Sequence, residues 1–313
     1  MSDLVPTDLS VVICTYNNAD SLRLTLAQLA DQQYDNKYTI EFLVVDNNSK
    51  DHTADVVNEF CKNDARFINL FEGAQGLSHA RNTGVNNAKG SYVLFTDDDA
   101  DLPTDWVQSY LQVLEEYQPV CCYSKISVQW HKPQPWWYCQ AFRAQFVELD
   151  YGLELINVHD INHEFFGKNF CLLRDEILKQ GGFDPKLGRM GDKLVAGEET
   201  VIYRRIIQSG KKVVYFPWAE VGHRLKDKEF TSEHITRLFL DGAYTTYNVG
   251  FIFSTKWLLG RPVGVLLASV RLMVFSAVSW LNAGVNGNNP LRFYHKLSFL
   301  KSIKTIKLWV CKP

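Results

Sequence analysis

Residues 242–313 contain no Asp or Glu. That absence excludes an ordinary mixed-charge surface for this stretch, whose nine Lys and Arg side chains have no acidic partner nearby in sequence. Paired cysteine chemistry is also missing. The seven cysteines (Cys14, Cys61, Cys121, Cys122, Cys139, Cys171 and Cys311) form no CxxC pair, which argues against a zinc ribbon, and their odd number argues against a fully paired disulfide scaffold. They read as small buried hydrophobes or reduced thiols of a cytosolic compartment. No charged segment followed by an apolar run opens the chain, so no secretory signal is read there. No internal repeat or low-complexity tract occurs, and with 46% hydrophobic residues over 313 positions a disordered or fibrous chain is excluded. The charge is divided sharply. All 35 acidic side chains, against 24 of the 33 basic ones, precede residue 242, so an acidic body of 241 residues carries a basic, apolar tail. Such a tail calls for an anionic or greasy partner; nucleic acid does not suit it, because the tail is too apolar and the body too acidic.

Short apolar runs alternate with amphipathic stretches over the first hundred residues. Strands are expected at 10–15, 41–46, 66–71 and 91–96, and helices at 21–31, 53–61 and 77–88. Alternation of this kind predicts βαβ units and a mostly parallel sheet, with ligands at the carboxyl ends of the strands. A helix is expected from Pro103, carrying Trp106, Tyr110, Val113 and Leu114 on one stripe. Residues 125–165 look irregular, and the aromatic run Trp130 to Tyr138 suits equally a sugar- or lipid-facing platform and a staple for a long loop. A short helix from Arg174 should close at Gly181-Gly182, a further helix spans 198–208, and a strand covers 212–216. Residues 263–285 carry one charge, Arg271, and are long enough to cross a bilayer. Four polar side chains dilute the stretch, and Trp257 and Trp280 flank it as interfacial anchors. A surface or re-entrant element, a span and a core helix all remain open for it.

The chemistry concentrates at Asp97-Asp98-Asp99, directly after the strand SYVLF. Adjacent carboxylates at a strand end repel one another unless a cation lies among them, and a divalent ion with hard oxygen ligands is the natural partner. If strand geometry continues, Asp97 and Asp99 point the same way.

These residues sit within a longer pattern. SVVICTYNNADSL, EFLVVDNNSKDHT, GLSHARNTGVNNAKG, SYVLFTDDDADLPTDW, FFGKNF, GGFDPKLG, GEETVIYRR and FPWAEVGHR follow in this order through 10–240. Together they resemble a family 2 glycosyltransferase of the GT-A fold, of the inverting, bacterial surface-polysaccharide type. The resemblance implies an α/β, Rossmann-like, mostly parallel sheet flanked by helices, to which the tail adds a helical, apolar and basic C-terminal extension. It implies a GT-A catalytic domain over 1–241, with a nucleotide half to about 120 and an acceptor half from 121 to 241; the tail 242–313 lies outside the shared pattern and reads, from its cations and apolar stretch, as a helical, membrane-associated region.

The resemblance also implies roles. Thr15, Tyr16 and Asn17 cradle the nucleotide base, and Asp46 accepts from a base imide. Arg81 meets the diphosphate or ribose. Asp97 binds the ribose, Asp98 orients the loop, and Asp99 holds Mg²⁺ or Mn²⁺ with His223. Where the family has Glu-Asp, this chain has Glu198-Glu199. The base is then Glu199, with Glu198 as the reserve. The implied activity is a metal-dependent hexosyl transfer from a nucleotide-diphosphate sugar to a hydroxyl of a glycan or lipid-linked acceptor. It serves surface polysaccharide or cell-envelope glycan synthesis at the cytoplasmic face of the cell membrane, peripherally or monotopically, or otherwise in the cytoplasm. Two other readings compete. A sugar-nucleotide nucleotidyltransferase wants a basic, glycine-rich loop after the first strand, and no Lys or Arg precedes Arg23 there. A non-catalytic, membrane-held nucleotide-sugar-binding subunit wants a damaged acid cluster, whereas Asp97, Asp99 and Glu199 are all carboxylates.

Overall fold

The computed structural model describes residues 9–189, 194–283 and 289–311. The signal-free reading of residues 1–8, the end of the apolar stretch at 284–285 and Lys312 lie outside the described residues. The chain divides into two compact units. The first comprises Met1–Gln129, Val147–Lys186 and Glu198–Arg224, and the second Trp130–Phe146, Leu187–Gly197 and Leu225–Pro313.

The first unit alternates as the sequence predicts. Its elements begin β1 (Leu9–Thr15), α1 (Ala19–Ala30), β2 (Ile40–Asp46), α2 (Thr53–Asn63), β3 (Phe67–Phe71), α3 (Leu77–Asn87) and β4 (Tyr92–Asp97). After a two-residue turn come β5 (Ala100–Asp101), α4 (Trp106–Tyr117), β6 (Cys121–Gln129), β7 (Ile156–Asn157), β8 (Asn169–Leu173), α5 (Arg174–Lys179), α6 (Glu198–Gln208) and β9 (Val213–Arg224). Strands β6 and β8 lie where irregular chain was expected or no strand was read, and β9 runs eight residues past the expected end at 216. The sheet order is β3-β2-β1-β4-β8-β6-β9-β5, with β7 also paired to β9. Pairs β3–β2–β1–β4 and β6–β9 are parallel, while β8 runs antiparallel to both β4 and β6.

Period-two alternation builds two cores, one on each face. Val11 and Ile13 of β1, Phe42 and Val44 of β2 and Leu94 of β4 join Leu22, Leu26, Val56, Trp106 and Tyr110 from α1, α2 and α4. Val12, Leu43, Val45, Val93 and Phe95 face the other way, against Ala80, Val85, Ile177, Ile202 and Ile206 of α3, α5 and α6. Helix α3 rides so close to the sheet that a Cβ at Gly84 would lie 2.5 Å from Val12. Cys121, Cys122 and Cys171 are buried strand residues, and all seven cysteines are free thiols. Burial pushes Cys14 up to about 12, which keeps it a thiol rather than a nucleophile.

The second unit is helical, with α7 (Ser232–Ile252), a hairpin of β10 (Trp257–Leu258) and β11 (Arg261–Pro262), α8 (Val263–Asn282) and α9 (Pro290–Cys311). Helix α9 packs on both α7 and α8. Trp309 donates its indole N–H to the Pro262 carbonyl at 2.9 Å and joins a small core with Tyr247 and Val265. The domain boundary expected after residue 241 is a boundary of charge. It falls inside α7, where Asp241 meets Lys304 at 3.4 Å. Within the run Trp130 to Tyr138, Trp130, Trp137 and Tyr138 pack on Phe146, which is the staple arrangement. Trp137, Phe142 and Phe146 are buried, with Phe142 against Phe239 and Phe293, while Trp136 is half exposed. Helix α8 is turned inside out. Its buried positions are Val265, Ser269 and Ser276, whereas Leu267, Leu272, Val274, Phe275, Val278 and Leu281 are exposed. It is long and apolar enough to cross a membrane.

Candidate active site

All eleven residues singled out from the sequence lie in the first unit. Strand register explains why several of them meet. Thr15 of β1 is level with Asp46 of β2, and Cys14 with Asp97 of β4, so the carboxyl ends of three parallel strands form one polar row. Asn17 follows in the left-handed region (φ 49°), and its turn is tied to the loop after β2: Ser49 Oγ accepts from the Asn17 amide at 3.0 Å, and Asn17 Oδ1 accepts from the Lys50 amide at 2.7 Å. Tyr16 stands 41% exposed above this turn, a free aromatic face at the row. Asp46 is buried and accepts from the Ser49 amide at 2.9 Å.

The three aspartates divide their work. Asp98 turns inward, accepting from Thr15 Oγ1 at 2.8 Å and Asn18 Nδ2 at 2.6 Å, which locks the acid turn to the turn after β1. Thr25 Oγ1 donates to the carbonyls of Asp98 and Ala100, and the Arg224 amide to that of Asp99. Asp97 and Asp99 point together, as strand geometry predicts, at the ammonium of Lys168. Lys168 Nζ lies 3.2 Å from Asp97 and donates a short hydrogen bond to Asp99. Burial opposes the charge on Lys168, but Asp99 and Asp97 outweigh it and raise its pKa. Pairing of β5 with β9 sets His223 opposite Ala100, which leaves His223 Nε2 3.8 Å from Asp99 Oδ2.

The expected metal set of Asp99 and His223 is therefore brought together, with oxygen and nitrogen donors suited to Mg²⁺ or Mn²⁺. The space between Asp97 and Asp99 is filled by Lys168, and among the described residues no group of three or more His, Cys, Asp or Glu is arranged to hold a metal ion. A resident divalent ion does not fit this arrangement.

The other side of the site is a buried glutamate pair. Both open helix α6, where the helix dipole favours acids. Arg81, expected at a diphosphate, is 2% exposed and committed within the protein. It donates to Glu198 Oε1 at 2.6 Å and to the Gly167 carbonyl at 2.9 Å, and it lies between the rings of Phe170 and Phe183. Glu199 Oε2 lies 4.0 Å from Arg81 and is buried with no hydrogen-bond partner among the described residues. Burial first, then repulsion from Glu198, pushes Glu199 up to about 8, with Arg81 pulling the other way. Asp97 also helps hold the charge on buried Arg81, so the acid cluster and the glutamate pair share one field.

Three consecutive residues missing from the expected site turn out to organise it. Gly167 offers its carbonyl to Arg81, and a Cβ there would collide with the guanidinium. Lys168 joins the aspartates. Asn169 accepts from Trp106 Nε1 and Tyr110 Oη at 2.9 Å each and donates to the carbonyls of Lys125 and Ala219 at 2.8 Å, fixing the start of β8. The signal available in sequence was the FFGKNF motif itself.

Known proteins share this fold. The structure of the mannosyltransferase PcManGT from Pyrobaculum calidifontis, in complex with GDP-Man and Mn²⁺, superposes with a TM-score of 0.60 at 17% identity, over 99% of this chain and 89% of that one. S. aureus TarS 1-349 in complex with UDP gives a TM-score of 0.53 at 16% identity, over 96% and 90%. These likenesses establish the GT-A-like fold. In sequence, the glucosyl-dolichyl phosphate glucuronosyltransferase of Haloferax volcanii is 27% identical over 222 residues, 69% of each chain. The UDP-Glc:alpha-D-GlcNAc-diphosphoundecaprenol beta-1,3-glucosyltransferase WfaP of Escherichia coli is 31% identical over 124 residues, 38% of this chain and less than half, 46%, of that enzyme. The model of glycosyl transferase family 2 matches residues 10–182, the stretch that carries the polar row, the acid turn, Arg81 and Lys168. A match over more than half of the chain, on the fold that the sheet order shows, makes this protein a member of glycosyl transferase family 2.

Proposed function

We propose that the chain transfers a sugar from a nucleotide-diphosphate sugar to a hydroxyl of a lipid-linked or glycan acceptor, inverting the anomeric configuration, with Glu199 as the base. The carrying observation is the Glu199 carboxyl, buried, raised to about 8 and left with an oxygen that has no hydrogen-bond partner among the described residues, beside the Arg81–Glu198 pair. A carboxylate there has an affinity for protons suited to general-base work near neutral pH. The nucleotide base lies on the turn of Thr15, Tyr16 and Asn17 with Asp46 at its imide, and the ribose lies at Asp97. The acceptor oxygen attacks the anomeric carbon and its proton passes to Glu199. The bond from that carbon to the diphosphate breaks with its electron pair, and the nucleoside diphosphate leaves. Arg81 acts through Glu198 and Glu199, holding them in place and tuning their charge.

A lipid-linked acceptor is supported by two relatives, whose names place their acceptors on dolichyl phosphate and diphosphoundecaprenol. It is supported again by α8, whose exposed leucines, valines and Phe275 would lie in the interface of a membrane, with Trp257 exposed nearby. The tail's cations would add attraction to an anionic cytoplasmic leaflet, which supports that face. A nucleotide-release screen over UDP-, GDP- and dTDP-sugars with polyprenyl-linked acceptors tests the reading. One donor should release its nucleoside diphosphate, and Glu199→Gln should lower that release by roughly 10²–10⁴-fold, the usual contribution of a general base. Release undiminished in Glu199→Gln would overturn the assignment.

A further inference from the structure

We propose that Lys168 is the resident cation of the acid cluster: its ammonium, rather than a permanently held divalent ion, neutralises Asp97 and Asp99 in the donor-free protein, and any divalent ion arriving with the donor has to displace it. A lysine at the FFGKNF position has no solvent to rest in. The residue is 1% exposed, and among the described residues its ammonium is paired with the two carboxylates. A buried ammonium persists only where opposite charge repays its lost hydration, and two aspartates converging on one nitrogen do so. The geometry of the chain enforces the meeting. Asn169 is level with Thr96 on antiparallel β8 and β4, so Lys168 comes next to Asp97 across the strand pair. The four hydrogen bonds of the Asn169 amide then fix the backbone from which Lys168 projects.

The same convergence defines what a metal would meet. Mg²⁺ bonds its oxygen ligands at about 2.0–2.1 Å. The Asp99 carboxylate already receives Lys168 on Oδ1, while Oδ2 faces His223 Nε2 at 3.8 Å. An ion placed between Asp97 and Asp99 would coincide with the ammonium, and one placed beside it would be repelled. Lys168 therefore keeps the two carboxylates aimed and prevents their mutual repulsion while no donor is bound. Arrival of a diphosphate adds negative charge, and that is the condition under which a dication can compete. The inference rests on the reading above only in placing the diphosphate at this cluster, because its test needs neither donor nor acceptor.

The test is Mn²⁺ binding by the full-length, donor-free protein, followed by the loss of the free-ion electron paramagnetic resonance signal. The wild type should bind weakly. Lys168→Met, which keeps the chain length and removes the charge, should bind at least about tenfold tighter, since like charges a few ångströms apart repel by more than that ratio requires. Lys168→Arg should stay weak. The melting temperature of Lys168→Met should fall in chelator and recover with Mn²⁺, whereas that of the wild type should ignore both. Stoichiometric, tight Mn²⁺ binding by the donor-free wild type would overturn the proposal even if Lys168→Met fails to fold. So would a Lys168→Met protein that binds Mn²⁺ no better than the wild type. A failed sugar-nucleotide screen with these ion results intact would remove the donor reading and leave Lys168 as the resident cation.

Discussion

Replacing Glu198 by glutamine separates the two glutamates more cleanly than removing either. In the wild type Glu199 is pushed up to about 8, with burial the largest cause and Glu198 the next. At pH 7 only about a tenth of such a carboxyl is ionised, one pH unit below its pKa. Glu198→Gln removes the repelling charge. It also leaves the 2.6 Å bond from Arg81 Nη1 ending on a neutral amide oxygen, so the uncompensated guanidinium charge acts on Glu199 Oε2, 4.0 Å away. A cation at that range lowers a carboxyl by about 1–3 units. The acid limb of kcat/KM, which reports the free enzyme, should therefore move from near 8 to about 5–7, and the rate at pH 7 should rise up to about tenfold. The assay is nucleotide release at low donor concentration from pH 5 to 9. A loss of roughly 10²–10⁴-fold at every pH would make Glu198 the base. A limb that stays near 8 would refute the electrostatic reasoning.

Other consequences can be checked independently. Gly167→Ala puts a methyl group against the guanidinium of Arg81 and should break its buried pair with Glu198, costing about 3–5 kcal/mol in urea unfolding. Stability should also depend on pH through Glu199. Its folded pKa, about 8, exceeds the ordinary 4.5, so the contribution is full below 4.5 and lost as pH rises through about 8; Glu199→Gln should remove that slope, at most about 4–5 kcal/mol in total. Sedimentation with anionic liposomes should pull down the full-length protein, more weakly as salt rises but not to zero. Phe275→Glu with Leu281→Glu on exposed α8 should remove the salt-resistant part, and unchanged binding would detach α8 from the membrane.

The sequence exposes those parts of the site that local pattern controls. Parallel strands with period-two apolar alternation announce where they end, so Thr15, Asp46 and Asp97 stand out as the polar residues that close β1, β2 and β4. Glu198-Glu199 is visible because acids gather in a helix's first turn. Pairings across long stretches of chain are not visible. Lys168 meets Asp99 across 69 residues, and Arg81 meets Glu198 across 117. Helical spacing places Arg81 on α3 but cannot say that a carboxylate, rather than a diphosphate, receives it. Strand β8 is short and follows an aromatic, glycine-containing run, which hides its period. Strand β6 is masked by cysteines and polar residues. The charge pattern marks residue 242 because Asp241 is the last acid, yet Asp241 is an internal residue of α7 with Lys304 as its partner. A change in composition need not coincide with a change in packing.

The central claim is a single displacement driven by a buried carboxylate at Glu199. Proton NMR of the product, recorded as transfer proceeds from a donor of known anomeric configuration, tests it most directly. The anomeric coupling constant of the first product formed should report the configuration opposite to the donor's, with no covalent sugar–protein species in mass spectra taken during turnover. A product of retained configuration would contradict the account.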